Sequence, residues 1–267
     1  MSSGTKIALY QALRTHGLRL YASRSNSVIC GSCGCNFKRS MSTVSPQNDD
    51  DIGFFDRLKE RMGLRGKLEY FPTTLKYSAF RLYLSAAEAS RYNKVHETIQ
   101  MPDTLTSWHK LTSLHIWLIM CRLITEGREG TMVKNGCIEA FIADMTEKSK
   151  VIGNEMKIKV KGEEIEILHE QFLASLLMYD EGLLGSDKEL AGTVWRTLFA
   201  KKEDVNFSDI EIMVHYIRKQ VAHLQRIPRK QMLTNGLIPF LPLEGNTVSK
   251  TALESLERIK QEHLQNK

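Results

Sequence analysis

From residue 54 nearly to the C-terminus, apolar residues recur at intervals of three and four, the spacing that lines one face of a helix. This pattern predicts helices over 54–62, 72–90, 104–125, 129–149, 164–181, 187–199, 208–226 and 250–264. In 104–125, Leu105, Trp108 and Leu111 lie near one line while Leu114, Trp117, Leu118 and Cys121 cover other angles. A helix apolar almost all round belongs at the centre of a core, so Trp108 and Trp117 are read as structural. Helix 208–226 instead gathers Ile210, Met213, Val214, Ile217, Val221 and Leu224 on one side, the pattern of an outer helix. The only alternation of period two, Met156 to Lys161, is short and reads as an extended connection or small hairpin. The expected fold class is all-α, a single multi-helix bundle.

Several boundaries have a chemical cause. Ser186 with Glu189, and Ser208 with Glu211, both match the capping box, in which the serine oxygen accepts a backbone N–H and the glutamate reaches back. Pro102-Asp103-Thr104 supplies a stop followed by a cap, and Gly127 and Gly182 stand where left-handed C-terminal caps are expected.

The charge adds a second segment to this picture. The chain of 267 residues carries a formal +6, but the first 48 residues hold six basic residues and no acid, while the rest holds 31 of each sign. The body is therefore neutral, which removes the argument for a DNA partner that the overall charge would make. The acid-free stretch has nine serines and an opening in which Leu9, Leu13, His16 and Leu20 share a helical face. Those are the features of a mitochondrial transit peptide, with Arg19-Leu20-Tyr21-Ala22-Ser23 similar to a matrix-peptidase site; the alternative is a basic tail. Residues 1–45 are thus assigned as transit peptide and disordered leader, 46–53 as linker, 54–245 as the helical domain and 246–267 as a C-terminal helical tail.

Candidate chemistry is sparse. Cys30, Cys33 and Cys35 form a C-x2-C-x-C cluster, but a tetrahedral site needs a fourth ligand and the next cysteine is Cys121. Cys121 and Cys137 fall in predicted helices and read as small buried apolar residues. His169-Glu170 begins like a zinc-protease signature, yet Leu173 stands where the second histidine must be. His109 and His115, six apart, face nearly opposite sides of a helix. No stretch has the length and apolarity of a membrane span. Catalytic residues, metal and cofactor are accordingly expected to be absent.

Two groups remain as candidates for partner contact. Tyr179-Asp180-Glu181 and Trp195-Arg196 combine aromatic bulk with opposite charges; a structural ion pair with the tryptophan in the core is the first reading of them, and partner contact, for which such side chains serve as anchors, is the second. Between Ile212 and Leu243 there is no acid, whereas Arg218, Lys219, Arg226, Arg229 and Lys230 give a local +5. With His215, the cations Arg218, Lys219 and Arg226 fall on one face. Complementing the dipole at a helix C-terminus accounts for one or two of these cations, and because the run continues past Pro228 the stripe is expected to meet ribosomal RNA, an acidic partner or a lipid surface.

Some of these segments also carry a resemblance. Gln100-Met101-Pro102-Asp103-Thr104, Ser107-Trp108, Thr112, Leu114-His115 and Trp117 resemble the signature block of the ubiquinol–cytochrome c chaperone family. Glu126-Gly127-Arg128 with Gly130, Tyr179-Asp180-Glu181-Gly182, Leu190-Ala191, Trp195-Arg196-Thr197 with Phe199, and Tyr216-Ile217-Arg218-Lys219-Gln220 follow in the family's order. Gly66-Lys67-Leu68 with Tyr70 is similar to its opening, so the likeness spans about residues 54 to 224. One departure is visible: Ala143-Asp144-Met145 follows Phe141 and Ile142 where relatives tend to have Trp-Glu-Asp.

The resemblance implies a non-catalytic assembly factor of respiratory complex III in the mitochondrial matrix. Such a protein would work with a small helical partner assembly factor and bind newly made cytochrome b near the exit tunnel of the mitochondrial ribosome, with peripheral contact to the inner membrane. The readings left open beside it are an all-α matrix enzyme with a small-molecule site and a ribosome-bound translational activator.

Overall fold

The structure, a computed structural model, describes residues 68–265 apart from 94, 156 and 158–161. The leader, the linker, helix 54–62, Gly66, Lys67, the cysteine cluster and most of the alternating segment 156–161 lie outside the described residues. Tyr70–Lys267 forms one compact unit. Every regular element described in it is helical: α1 (Pro72–Tyr92), the short α2 (Val95–Thr98), α3 (Leu105–Leu123), α4 (Gly127–Glu155), α5 (Gly162–Leu184), α6 (Asp187–Thr197), α7 (Phe207–Leu224) and α8 (Lys250–Gln265).

α3 is the axis of the bundle, packed against α1, α4, α5 and α7. Its residues are buried on all sides, with Leu114, Ile116, Leu118 and Ile119 fully enclosed, which is what an all-round apolar helix requires. Thr104 caps it, accepting the Ser107 N–H at 3.2 Å, and a 3-10 turn at Ile124–Glu126 ends it. Gly127 then adopts φ +60° with ψ −133°, a positive-φ conformation open to glycine but not the left-handed helical cap expected of it, and the chain turns there into α4. Phe141 of α4 ties four helices together, its ring within 6.4 Å of Tyr83, Trp108, His109 and Phe172. Trp117 is completely buried, whereas Trp108 is only half-buried, with the Lys148 ammonium 4.9 Å from its ring centre.

Two further capping assignments need correction. α7 starts two residues earlier than the Ser208 box implies, because Asn206 takes the cap and its Oδ1 accepts the Ser208 N–H at 3.2 Å. The Ser186 box does form, the Glu189 carboxylate accepting the Ser186 N–H at 2.6 Å. Gly182 is not a C-cap but lies inside α5, where a methyl group would come within 2.6 Å of the Thr193 hydroxyl oxygen. The absence of a side chain there sets how closely α5 and α6 pack.

After α7 the chain makes a five-residue π turn, Gln231–Asn235, against α1 and then runs as an extended strap through residues 237–243. The strap buries Leu237, Ile238, Phe240 and Leu241. Its prolines, Pro239 and Pro242, exclude a helix. α8 folds back over it, Leu256 and Ile259 packing with Leu237 and Leu84, and Arg258 pairing with Glu88 at 2.7 Å.

Candidate functional site

Most residues singled out in the sequence act as joints between helices. Tyr179 is 1% exposed, stacks on Trp117 with ring centres 5.0 Å apart, and accepts the Thr197 hydroxyl at 2.9 Å. Burial pushes its phenol pKa up. Asp180 accepts the Trp117 indole N–H at 2.7 Å, so the Tyr179-Asp180 pair fastens α5 to α3. Thr193 and Thr197 of α6 complete the joint from the other side, the first against Gly182.

A second joint is built on α7. Tyr216 meets His115 Nε2 at 2.7 Å, and the other ring nitrogen lies 2.7 Å from the Leu111 carbonyl. A carbonyl only accepts, so Nδ1 carries the proton of the neutral ring and Nε2 accepts the tyrosine O–H. Burial holds this imidazole's pKa at about 4. Gln220 donates to the Leu241 carbonyl at 2.6 Å and accepts the Leu241 N–H at 3.1 Å, while Lys219 donates to the carbonyls of Pro242, Leu243 and Gly245. His223 lies 2.9 Å from the Pro239 carbonyl, and Asn93 donates to Tyr216 and to Leu241. The strap's backbone groups thus find side-chain partners in place of a helix ladder.

A third joint follows α3. Arg122, Glu126 and Glu129 are each less than a tenth exposed. Arg122 pairs with Glu126, Arg229 reaches both glutamates, and Glu129 accepts the Tyr70 N–H at 2.9 Å. Here Arg229, read from sequence as part of a cationic stripe, is an internal counter-ion. Arg218 is another: it donates to the carbonyls of Leu183 and Gly185 at the end of α5 and pairs with Asp187 at 3.0 Å. The structure therefore divides the stripe, with Arg218, Lys219 and Arg229 in intramolecular bonds and Arg226 and Lys230 on the surface.

Of the remaining candidates, Trp195 and His215 line a groove of about 500 Å³ between α6 and α7. Its floor is Ala191, Val205, Ile210 and Val214, its rim Asp187, Lys202, Glu203, Glu211 and His215. Trp195 lines one wall, its indole N–H donating to the Lys202 carbonyl at 2.8 Å. Phe207 stands at the other, 86% exposed. The loop between them holds two successive non-glycine residues at positive φ, Ala200 (+53°) and Lys201 (+61°), a conformation costing on the order of 1–2 kcal/mol each. Arg196 and Glu181 are exposed on α6 and α5. The groove lining contains no Ser, Thr or Cys, and His215 Nε2 is 3.8 Å from Glu211, beyond hydrogen-bond reach. An open, apolar-floored groove with a mixed-charge rim is suited to receiving side chains of another protein.

Asp144, in the segment that departs from the family pattern, accepts the Tyr83 hydroxyl and pairs with Lys148. Among the described residues no group of three or more His, Cys, Asp or Glu is placed to hold a metal ion, and no helix is long and apolar enough to cross a membrane. The strap, the Arg122–Glu126–Glu129–Arg229 network and the exposed Phe207 were not anticipated. The strap alone left a usable signal, an apolar run with two prolines.

Comparison with known proteins gives these joints a wider setting. The family model described as "Ubiquinol-cytochrome C chaperone" matches residues 97–239, from the end of α2 into the strap. "Ubiquinol-cytochrome c reductase complex assembly factor 1" of Homo sapiens is 34% identical over 209 residues, covering 77% of this chain and 69% of that protein. The Drosophila melanogaster protein of that name is 33% identical, covering 67% of this chain and 71% of its own length. "Protein CBP3, mitochondrial" of Saccharomyces cerevisiae is 25% identical over 178 residues, 65% of this chain and 51% of that one. The crystal structure of the Cbp3 homolog from Brucella abortus is similar in fold, with a TM-score of 0.55 at 18% identity, over 72% of this chain and 98% of that one. The matched block runs through the Trp117, Tyr179 and Tyr216 joints and spans more than half of the sequence, and on that ground the chain belongs to the ubiquinol–cytochrome c chaperone family.

Proposed function

We propose that this protein is a mitochondrial assembly factor for ubiquinol–cytochrome c reductase, respiratory complex III. It binds newly synthesised cytochrome b and holds it for later steps, together with a small helical partner. The observation that carries the reading is the family match over residues 97–239, strengthened by relatives whose names state assembly of that complex and, in yeast, a mitochondrial protein. The acid-free, Arg- and Ser-containing first 48 residues support import into the matrix. An open groove floored by aliphatic side chains, with Trp195 and Phe207 at its walls, supports a binding role. Contact with the mitochondrial ribosome or the inner-membrane surface belongs to the same proposal and rests on the exposed cations Arg226 and Lys230.

The test is depletion of the protein with time-resolved measurement of respiratory complexes. Cytochrome b and complex III should fall well before complexes I and IV. An equal and simultaneous fall of all three would assign the protein to general mitochondrial translation instead. Reversing Arg226 and Lys230 to Glu should weaken co-sedimentation with ribosomes or inner membranes in a salt-dependent way; unchanged co-sedimentation with both would remove that part of the proposal.

A further inference from the structure

α5 carries three exposed large apolar side chains on one outer face, where α1, α4, α7 and α8 expose one each. Its positions Ile167, Glu170, Ala174, Leu177, Glu181 and Leu184 are all exposed, and their spacing of three and four alternates without interruption. Ile167, Leu177 and Leu184 are about half exposed, at 52%, 48% and 51%. On the opposite side α5 buries Phe172, Tyr179, Gly182 and Leu183, so its inner face is already satisfied. The exposed row follows the a and d spacing of a helix-pairing seam, with Ile167, Ala174, Leu177 and Leu184 as its apolar members and Glu170 and Glu181 set between them. At 1.5 Å per residue it runs for about 26 Å from Ile167 to Leu184, the contact length of a five-turn partner helix.

The charge of α5 states what kind of partner fits. Gly162–Leu184 contains six acidic residues and no Lys or Arg, in a body that is formally neutral. The helix dipole accounts for Glu163 and Glu164 in the first turn. It does not account for Glu181, which stands in the last turn, where a negative charge opposes the dipole. Nor does it explain leucines placed in the same row as these acids. An anionic membrane or nucleic acid is excluded by the sign of the charge. A second copy of this chain would lay one acidic face on another.

We infer that the outer face of α5 is the docking site for a cationic amphipathic helix of a partner protein. That helix presents leucine-type residues to Ile167, Leu177 and Leu184 and flanks them with Lys or Arg that meet Glu170 and Glu181. Ala174, at the middle of the seam, lets the two backbones approach closely. The inference rests on the binding role proposed above and adds the chemistry of one partner to it.

The experiment uses the purified full chain and a labelled synthetic helix of about three heptads, with Leu at a and d and Lys at e and g. A second peptide carries Glu in place of Lys, and binding is followed by fluorescence anisotropy at low and high salt. The Leu/Lys peptide should bind and the Leu/Glu peptide should not. Leu177→Ser with Leu184→Ser should weaken binding at least about tenfold. The isosteric pair Glu170→Gln and Glu181→Gln should weaken it several-fold and flatten its salt dependence, and Phe207→Ser in the groove should leave it unchanged. Equal binding of the two peptides, indifference to both α5 pairs, or loss on Phe207→Ser would overturn the inference. So would a dimeric wild type that the leucine pair converts to monomer, since the face would then belong to a second copy. None of these readings involves complex III, so failure of the docking site and failure of the assembly role are separately visible.

Discussion

At the level of single residues, the side chains that carry the family likeness are chiefly those that join one helix to another. Trp117 couples a fully buried indole to an N–H bond with Asp180. Trp117→Ala should lower the free energy of unfolding by about 3–5 kcal/mol in urea titrations. Trp117→Phe should cost less, because it keeps the stack on Tyr179 and loses only the bond to Asp180. Arg218 caps the carboxyl end of α5 while pairing with Asp187, so Arg218→Ala should cost about 1–3 kcal/mol. Exposed Arg226→Ala should be within about 0.5 kcal/mol of neutral. His109 and His115 set a pH dependence. Burial holds both imidazoles at about 4 against a usual 6.5, so the unfolded chain takes up protons first. Stability should be full above pH ~6.5 and fall by up to roughly 3 kcal/mol per ring as the pH drops toward 4. The urea midpoint measured from pH 8 to pH 5 should show this decline. His115→Gln should reduce its slope; an unchanged slope in that variant would place the proton uptake elsewhere.

At the level of elements, the period of apolar residues was enough to find seven of the eight described helices, six of them within three residues of their ends and α4 six residues short at its carboxyl end, while the short α2 was missed; the all-round apolarity of 104–125 marked the central one. Periodicity reports burial along one segment and carries no information on which segments meet. For that reason Gly182 was misread as a cap, although its role is to let α6 approach. Gly182→Ala should force apart Thr193 and the α5 backbone and destabilise by about 1–3 kcal/mol, despite the better helix propensity of alanine. A stabilised Gly182→Ala variant in thermal melts would show that the α5–α6 spacing is not fixed by this contact. The candidate site was legible in the same uneven way. Trp195 and His215 do reach the groove, but Phe207, which is its most exposed aromatic residue, lies at a helix start that the Ser208 box displaced by two residues. Arg229 was unreadable because its two counter-ions, Glu126 and Glu129, are about a hundred positions away.

For the molecule as a whole, the part of the chain after α7 is where sequence periodicity stops and long-range bonding takes over. The strap has no helix ladder, yet Asn93, Lys219, Gln220 and His223 satisfy its backbone carbonyls, and Phe240 closes over the His115 ring with centres 4.9 Å apart. α8, in contrast, rests on the outside, contributing Ala252, Leu256 and Ile259 to a surface shared with α1. Burial of Leu256 and Ile259 contributes about 1.5–3 kcal/mol each, fewer large side chains than the four that the strap buries. Two truncations should therefore behave very differently. Ending the chain after residue 246 removes α8 and exposes Leu84 and Leu237, and should lower the melting temperature by a few degrees while leaving a cooperative transition. Ending it after residue 235 also removes the strap, which leaves the buried Gln220 without a partner and opens the His115–Tyr216 bond to water. An orphaned buried polar group costs about 1–3 kcal/mol, and the lost apolar contacts of Ile238, Phe240 and Leu241 add to it. Together these exceed what a domain of ordinary stability can lose, so the shorter chain should show no cooperative unfolding by circular dichroism. If it melted as sharply as the longer truncation, the strap would be a cover laid on a finished core, and α7 would have to hold its polar side chains in place without it.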